Sequence, residues 1–189
     1  MPGALIELAS VHASVEYVIG DRWGVTDEEV ARPFPCDEWV TSPTLVAWRG
    51  VTVHASAGDL WPWVTQVRLA PYSYDWIDNL GRRSPRTLVG LPDPTVGDPF
   101  TRAAGISLGR TLSVDAPYQL TGRIAGAVIS YVLDQRSGLA HTRLLMKISS
   151  QVARPLAPLL SLGDLLMARR QLLNWKQLAE TAGLPARTQ

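Results

Sequence analysis

The most constraining feature of this chain is its C-terminal stretch. Helix formers run from Leu165 to Ala182, and Leu165, Ala168, Leu172, Trp175, Ala179 and Ala182 recur at the spacing of one helix face. The other side carries Arg169, Arg170 and Lys176. A helix with one apolar side must lie on a surface that buries it. Ser161-Leu162-Gly163-Asp164 has the form of a capping box at its start, and Gly183 and Pro185 supply a stop.

The only large surface that the rest of the sequence offers is a sheet. Residues 45–56 (LVAWRGVTVHAS) are rich in β-branched and aromatic residues and read as the first strand. From Thr87 to Ser150, strand-formers alternate with turn signals such as Pro92-Asp93-Pro94, Gly97-Asp98-Pro99 and Asp115-Ala116-Pro117. Val128 to Leu133 and Thr142 to Ile148, joined across residues 135–138, predict a hairpin. Short strands without helices between them predict an antiparallel meander.

Two shorter helices precede the meander. Thr26-Asp27-Glu28-Glu29 is a second capping-box pattern, ended by Pro33 and Pro35. Gly58 and Asp59 open the other, with Pro62 placed in or near its first turn, Leu60, Trp63, Val64 and Val67 on its buried face and Pro71 at its end. Residues 4–20 also carry apolar residues near helical spacing.

Length and composition narrow the function classes. A chain of 189 residues fits one domain. Its formal net charge of +1 gives no electrostatic footprint for nucleic acid. No apolar run approaches the ~20 residues of a membrane helix, so integral membrane insertion is not expected. The N-terminus lacks a basic region before its apolar residues, so no secretory signal is expected. Cys36 is the single cysteine, which excludes an intramolecular disulfide and fits a cytoplasmic protein. His12, His54 and His141 lack metal-ligand spacing, so neither a metal nor a cofactor is expected.

Residues 59–66 (DLWPWVTQ), followed by residues 71–81 (PYSYDWIDNLG), resemble the SRPBCC superfamily (START-like, polyketide cyclase/dehydrase and lipid transport), in its uncharacterised bacterial branch. Residues 22–30 (RWGVTDEEV) and 163–180 match the same branch at its two ends. The resemblance implies an α+β, helix-grip fold (START/Bet v 1-like), a curved antiparallel β-sheet wrapped around a long C-terminal helix, here with an extra N-terminal helical segment. Residues 1–40 are then a helical extension and lead-in, 41–183 the domain and 184–189 a tail. It also implies a hydrophobic cavity between sheet and helix that holds an apolar small molecule. Tyr72, Tyr74 and Trp76 offer rings with polar tips, Met167 an adaptable wall, and Arg83 or His141 a partner for a ligand oxygen.

These candidates carry plainer readings too. The aromatics of residues 72–76 can pin an irregular loop to the sheet, with Asp75 capping the turn after it. Arg82, Arg83 and Arg86 form either an anion site or ordinary surface pairs with Asp75 and Asp78. Gly105-Ile106-Ser107-Leu108-Gly109 has the pattern of a hydrolase nucleophile elbow, with Asp134 and His141 following in order. A strand rather than a helix follows it, which removes the elbow's context. The leading expectation is binding, for sequestration or transport, of a lipid, polyketide or aromatic metabolite. A cyclase or aromatase-like enzyme and a protein-interaction accessory domain are the alternatives, and the sequence leaves the oligomeric state open.

Overall fold

In the computed structural model, which describes residues 21–135, 140–151 and 157–183, strands and helices interleave as far as Asp78, and a run of strands and one long helix follow. It begins with β1 (Arg22–Trp23), α1 (Asp27–Ala31), a 3-10 turn (Pro35–Glu38) and β2 (Leu45–Val53). Then come α2 (Ala57–Thr65), continued by a 3-10 turn (Gln66–Arg68), and α3 (Asp75–Asp78). β3 (Thr101–Ala103) and β4 (Ile106–Leu108) precede β5 (Arg110–Asp115), β6 (Gln119–Ile124), β7 (Ala127–Asp134) and β8 (Thr142–Ser150), and α4 (Ala157–Ala182) closes the chain. The helical pattern at 4–20, residues 136–139 of the hairpin connection and the tail at 184–189 lie outside the described residues. Among the described residues no helix is long and apolar enough to cross a membrane.

Six strands form one sheet in the order β1-β2-β8-β7-β6-β5. Every pairing in it is antiparallel except that of β1, which runs parallel to β2. β5 to β8 are the meander that the turn signals predict, and β2 pairs with β8 over its whole length, from Leu45↔Ser150 to Val53↔Thr142. The strand at residue 45 is therefore second, not first. β1 is two residues long, too short to leave a period in the sequence.

Strand alternation divides the core into two layers. Ala47, Val51 and Val53 of β2, Leu144, Met146 and Ile148 of β8, and Tyr131 and Leu133 of β7 join α2 and α4 in the larger cluster. Trp48, Leu145 and Val128 point the other way, onto Phe34 and Cys36. Cys36 has no exposed surface, and its burial pushes the thiol up to about 11, so it stays protonated and unreactive.

α4 lies along β2 and α2 with Ala168, Leu172, Trp175 and Ala179 buried, as its pattern requires. Ala182, placed on the same face, is exposed because the helix runs past the sheet there. The helix also starts earlier than its capping-box pattern suggests, so residues 161–164 lie inside it. Pro158 falls in the first turn, where amides have no helical partner to lose. α2 departs from expectation in a similar way. Its cap is Ser56, whose hydroxyl accepts from the Asp59 amide at 3.1 Å, so Pro62 sits inside the helix.

The capping box of α1 forms, and it does more than end a helix. Glu29 accepts from the Thr26 amide at 2.9 Å and, through both oxygens, from Arg143 of β8 at 2.8 Å. Arg143 also donates to the Gly24 carbonyl and to Thr52, which ties residues 24–29 to the sheet. Burial alone would raise the Glu29 carboxyl, but the Arg143 and Thr26 hydrogen bonds hold it below its ordinary value of 4.5. The unfolded chain then takes up the proton first as pH falls. The stabilisation is complete above about pH 4.5 and is lost as pH drops through the lowered folded value. Glu29→Gln is expected to cost roughly 1–3 kcal/mol in urea unfolding at pH 7, with the gap to wild type closing toward pH 3. A gap that is constant across that range would remove the ion pair as its source.

Candidate functional site

One seam between the sheet and α4 is not filled. Ile129 and Tyr131 alternate onto this face of β7, Met146 joins them from β8, and Met167, Ala168 and Gln171 approach from α4. Phe100 and Thr101 close the far side, at the start of β3. The space is about 260 Å³, partly open to solvent, and its walls are mainly apolar. Ala168 leaves the room, since a larger side chain at this buried position would project into it.

Aromatic rings frame the cavity on one side. Tyr131 meets Trp175 edge-on at 5.2 Å between centroids, and Trp175 meets Tyr72 at 6.0 Å. Phe100 stacks on Tyr131 at 6.2 Å. That placement of Phe100 depends on Gly122, because a Cβ there would come within 1.9 Å of the Phe100 ring. The wall's polar element is a pair: the Tyr131 hydroxyl donates to Gln171 Oε1 at 2.8 Å, and the Gln171 amide donates to the Pro71 carbonyl. Thr101 turns its hydroxyl to the Val67 carbonyl at 2.9 Å.

Of the residues expected to line a site, Met167 alone reaches this cavity. Tyr72 is buried beside it, but its hydroxyl accepts from Gln66 at 2.7 Å, and burial pushes its pKa up to about 12. Tyr72 and Arg83 do come together, in a separate cleft of about 230 Å³ that Ser84, Arg86 and Asn174 also line. Tyr74 is half-buried beneath the Arg170 guanidinium, 5.9 Å from the ring centroid. Trp76 is 74% exposed. His141 stands beside β8 in edge contact with His54, at 6.3 Å, away from the seam.

The loop explains the scatter. Tyr72 takes a positive φ of 59°, so residues 72, 74 and 76 do not share a face as they would on a strand. Asp75 does not cap α3 either: its carboxylate accepts from the Ser84 amide at 2.9 Å and from the Ser84 hydroxyl at 2.6 Å. Ser107 is exposed on β4 with strand β5 after it, so the elbow geometry is lacking. Asp134 is engaged by Arg32 at 2.6 Å. Among the described residues no group of three or more His, Cys, Asp or Glu converges as a metal site would need.

The wall residues that sequence reasoning passed over had a usable signal. Ile129 and Tyr131 lie two apart in a predicted strand with Leu133, which assigns all three to one face. Gln171 is a polar residue at the border of the apolar helix stripe, next to Leu172.

No family model and no curated protein matches the chain. Solved bacterial structures do. A Mesorhizobium loti protein is 18% identical, covers 74% of this chain and 99% of its own, and superposes with a TM-score of 0.51. An Enterococcus faecalis conserved protein of unknown function is 11% identical over 76% of each chain, with a TM-score of 0.43. A Nitrosomonas europaea protein is 12% identical over 73% of this chain and 96% of its own, at 0.49. The first likeness agrees with an α+β fold built from a mostly antiparallel six-stranded sheet and a C-terminal helix. At this identity the likeness is one of fold alone.

Packing at the cavity floor is directly testable. Gly122→Ala is expected to destabilise the protein by about 1–3 kcal/mol in urea unfolding, because Phe100 must shift. In a Phe100→Ala background the same substitution should cost far less, a coupling expected only of residues in contact. Equal costs in both backgrounds would show that Phe100 does not rest on Gly122.

Proposed function

We propose that the protein is a helix-grip binding module, of the SRPBCC type its sequence resembles, which holds a small apolar molecule between the sheet and α4. The observation that carries this reading is the cavity of about 260 Å³ lined by Phe100, Ile129, Tyr131, Met146, Met167 and Ala168. A dry apolar cavity of roughly 150 Å³ holds benzene, so this one suits about ten non-hydrogen atoms. That favours a one- or two-ring aromatic metabolite or a short polyketide over a diacyl lipid. The Tyr131–Gln171 pair would orient one polar group of such a ligand, while the walls supply the affinity.

The cavity also bears on the alternatives. An accessory domain that only binds another protein has no need of an apolar recess between sheet and helix. A cyclase needs at least two converging titratable groups, and the described wall supplies one, Tyr131. Binding is therefore the reading put forward, with retention of ligand rather than turnover as its signature.

Native mass spectrometry of gently purified protein, followed by denaturing extraction, tests it. A stoichiometric adduct of roughly 120–160 Da, lost on denaturation, is expected, the size following from the cavity volume. For protein that arrives empty, 2-naphthol, with two rings and one hydroxyl, should bind saturably in a fluorescence titration. Ala168→Phe fills the space and should abolish both signals while the protein stays folded by circular dichroism. Absence of any adduct together with no saturable 2-naphthol binding would overturn the proposal, as would undiminished binding by the filled variant.

A further inference from the structure

A second surface, outside the cavity, combines protruding apolar side chains with unpaired positive charge. α3 is a single turn that carries Trp76 and Ile77, and Leu80 follows two residues after its end. Trp76 is 74% exposed, Leu80 76% and Ile77 49%. Ile106, 64% exposed, follows the turn of the β3–β4 ribbon. The ribbon's turn is fixed to α3, since Asn79 Oδ1 accepts from the Ala104 amide at 2.9 Å and the Arg82 guanidinium lies against Gly105. Singly exposed apolar residues are ordinary, but a cluster of this size on one small projection is not.

These side chains are held outward by a tethered backbone. The Gly81 amide closes on the Asp75 carbonyl at 2.7 Å, Asn79 donates to the Arg82 carbonyl at 2.6 Å, and Asp75 fixes Ser84. Leu80 keeps a positive φ of 50°, a conformation that costs energy for a side chain of its size. Around the apolar cluster stand Arg82, Arg83, Arg86 and Arg102, all exposed and none in an ion pair among the described residues. Asp75 of the same turn has both oxygens on Ser84. Arg83 and Arg86 line a cleft of about 230 Å³ together with Ser84, Asn174 and Asp75, whose carboxylate is held by Ser84.

We propose that this face, formed by Trp76, Ile77, Leu80 and Ile106 with Arg82, Arg83, Arg86 and Arg102, docks on an anionic lipid surface. Trp76 and Leu80 insert among the lipid headgroups and upper acyl carbons, where an amphipathic ring and an aliphatic chain are both accommodated. The arginines take the lipid phosphates. A fluid interface suits the shape of the surface, which projects its apolar groups and would need a matching hollow in any folded partner. The charge complementarity selects anionic over zwitterionic lipid. The cavity ligand plays no part in this argument.

Co-sedimentation of the full chain with vesicles is the test. Binding to phosphatidylcholine vesicles containing about 30% phosphatidylglycerol is expected, with much weaker binding to phosphatidylcholine alone and loss of binding at high salt. Arg83→Gln with Arg86→Gln should weaken binding roughly 20-fold, at about fivefold per arginine. Trp76→Ser with Leu80→Ser should reduce it at least as far. Both double variants alter exposed side chains, so unchanged circular dichroism and unchanged 2-naphthol binding would place the loss at this surface and not in the cavity. No sedimentation with the anionic vesicles at low salt would overturn the proposal, as would binding that both variants leave intact. A concentration-dependent dimer in analytical ultracentrifugation, abolished by Trp76→Ser and unaccompanied by vesicle binding, would also overturn it and assign the patch to a second copy of the chain.

Discussion

Trp175 is the contact on which the arrangement of this protein depends. Its ring is fully buried and touches both Tyr131 of the sheet and Tyr72 of the loop after α2, so one side chain joins three separate parts of the chain. The indole N–H finds no hydrogen-bond partner among the described residues, a cost that this ring packing must offset. Polar pegs on the neighbouring helix face fix the rotation of α4: Gln171 bonds Tyr131 and Pro71, and Asn174 donates to the Tyr72 carbonyl at 2.8 Å. Large rings fill the seam at Trp175, whereas Ala168, two turns earlier, does not. The cavity lies on that side because residue size changes along one helix face.

The cavity wall keeps its shape because the sheet is supported from behind. On the opposite face the Lys147 ammonium lies 5.2 Å from the Trp48 ring centroid and 5.5 Å from that of Phe34, and it pairs with Asp37 at 2.6 Å. The pair is largely shielded from water on the lysine side, so it fixes where the segment carrying Phe34 and Cys36 sits more than it adds to stability. Arg143 does similar work one strand end away, through Glu29, Gly24 and Thr52. Residues 25–38 thus form a cover that holds β2 and β8 from the side away from α4, while Trp23 of β1 faces the α4 side beneath Arg169.

What could be read from the sequence follows from the range of the forces involved. The long helix, the capping box at Thr26, the meander and the β7–β8 hairpin are set by local periodicity and local hydrogen bonding, and all of them formed. β1 and the true start of α4 were not legible, because a two-residue strand and a helix that runs through its own capping pattern leave no periodic trace. The site was the least legible part. Tyr72, Tyr74 and Trp76 stood out by composition, yet the positive φ at Tyr72 sends them in different directions. The wall depends on contacts between residues far apart in the chain, Tyr131 with Gln171 and Phe100 with Gly122, and no local pattern pairs them. Met167 was legible because it shares a helix turn with the apolar stripe.

The excursion from Pro71 to Leu108 unites the two surfaces. Its inner side supplies Pro71, Ser73, Phe100, Thr101 and Ala103 to the cavity, and its outer side presents Trp76, Leu80 and Ile106 to solvent. None of these residues belongs to the six-stranded sheet; the segment carries its own two-stranded ladder and is held to the body by Trp61 to Asp93, Gln66 to Thr87 and Val89, Thr101 to Val67, and the backbone bonds of Gly97 and Asp98 with Thr111. Within it, Asp75 with Ser84, and Asn79 with Arg82 and Ala104, are side-chain tethers that fix its parts to one another. The outward side chains can be exchanged without moving the wall, because they bear no packing load. The tethers cannot: removing Asn79 would free the α3 turn and the ribbon together, and with them both the cavity's rim and the exposed cluster. The two surfaces are separate in chemistry and joined in mechanics.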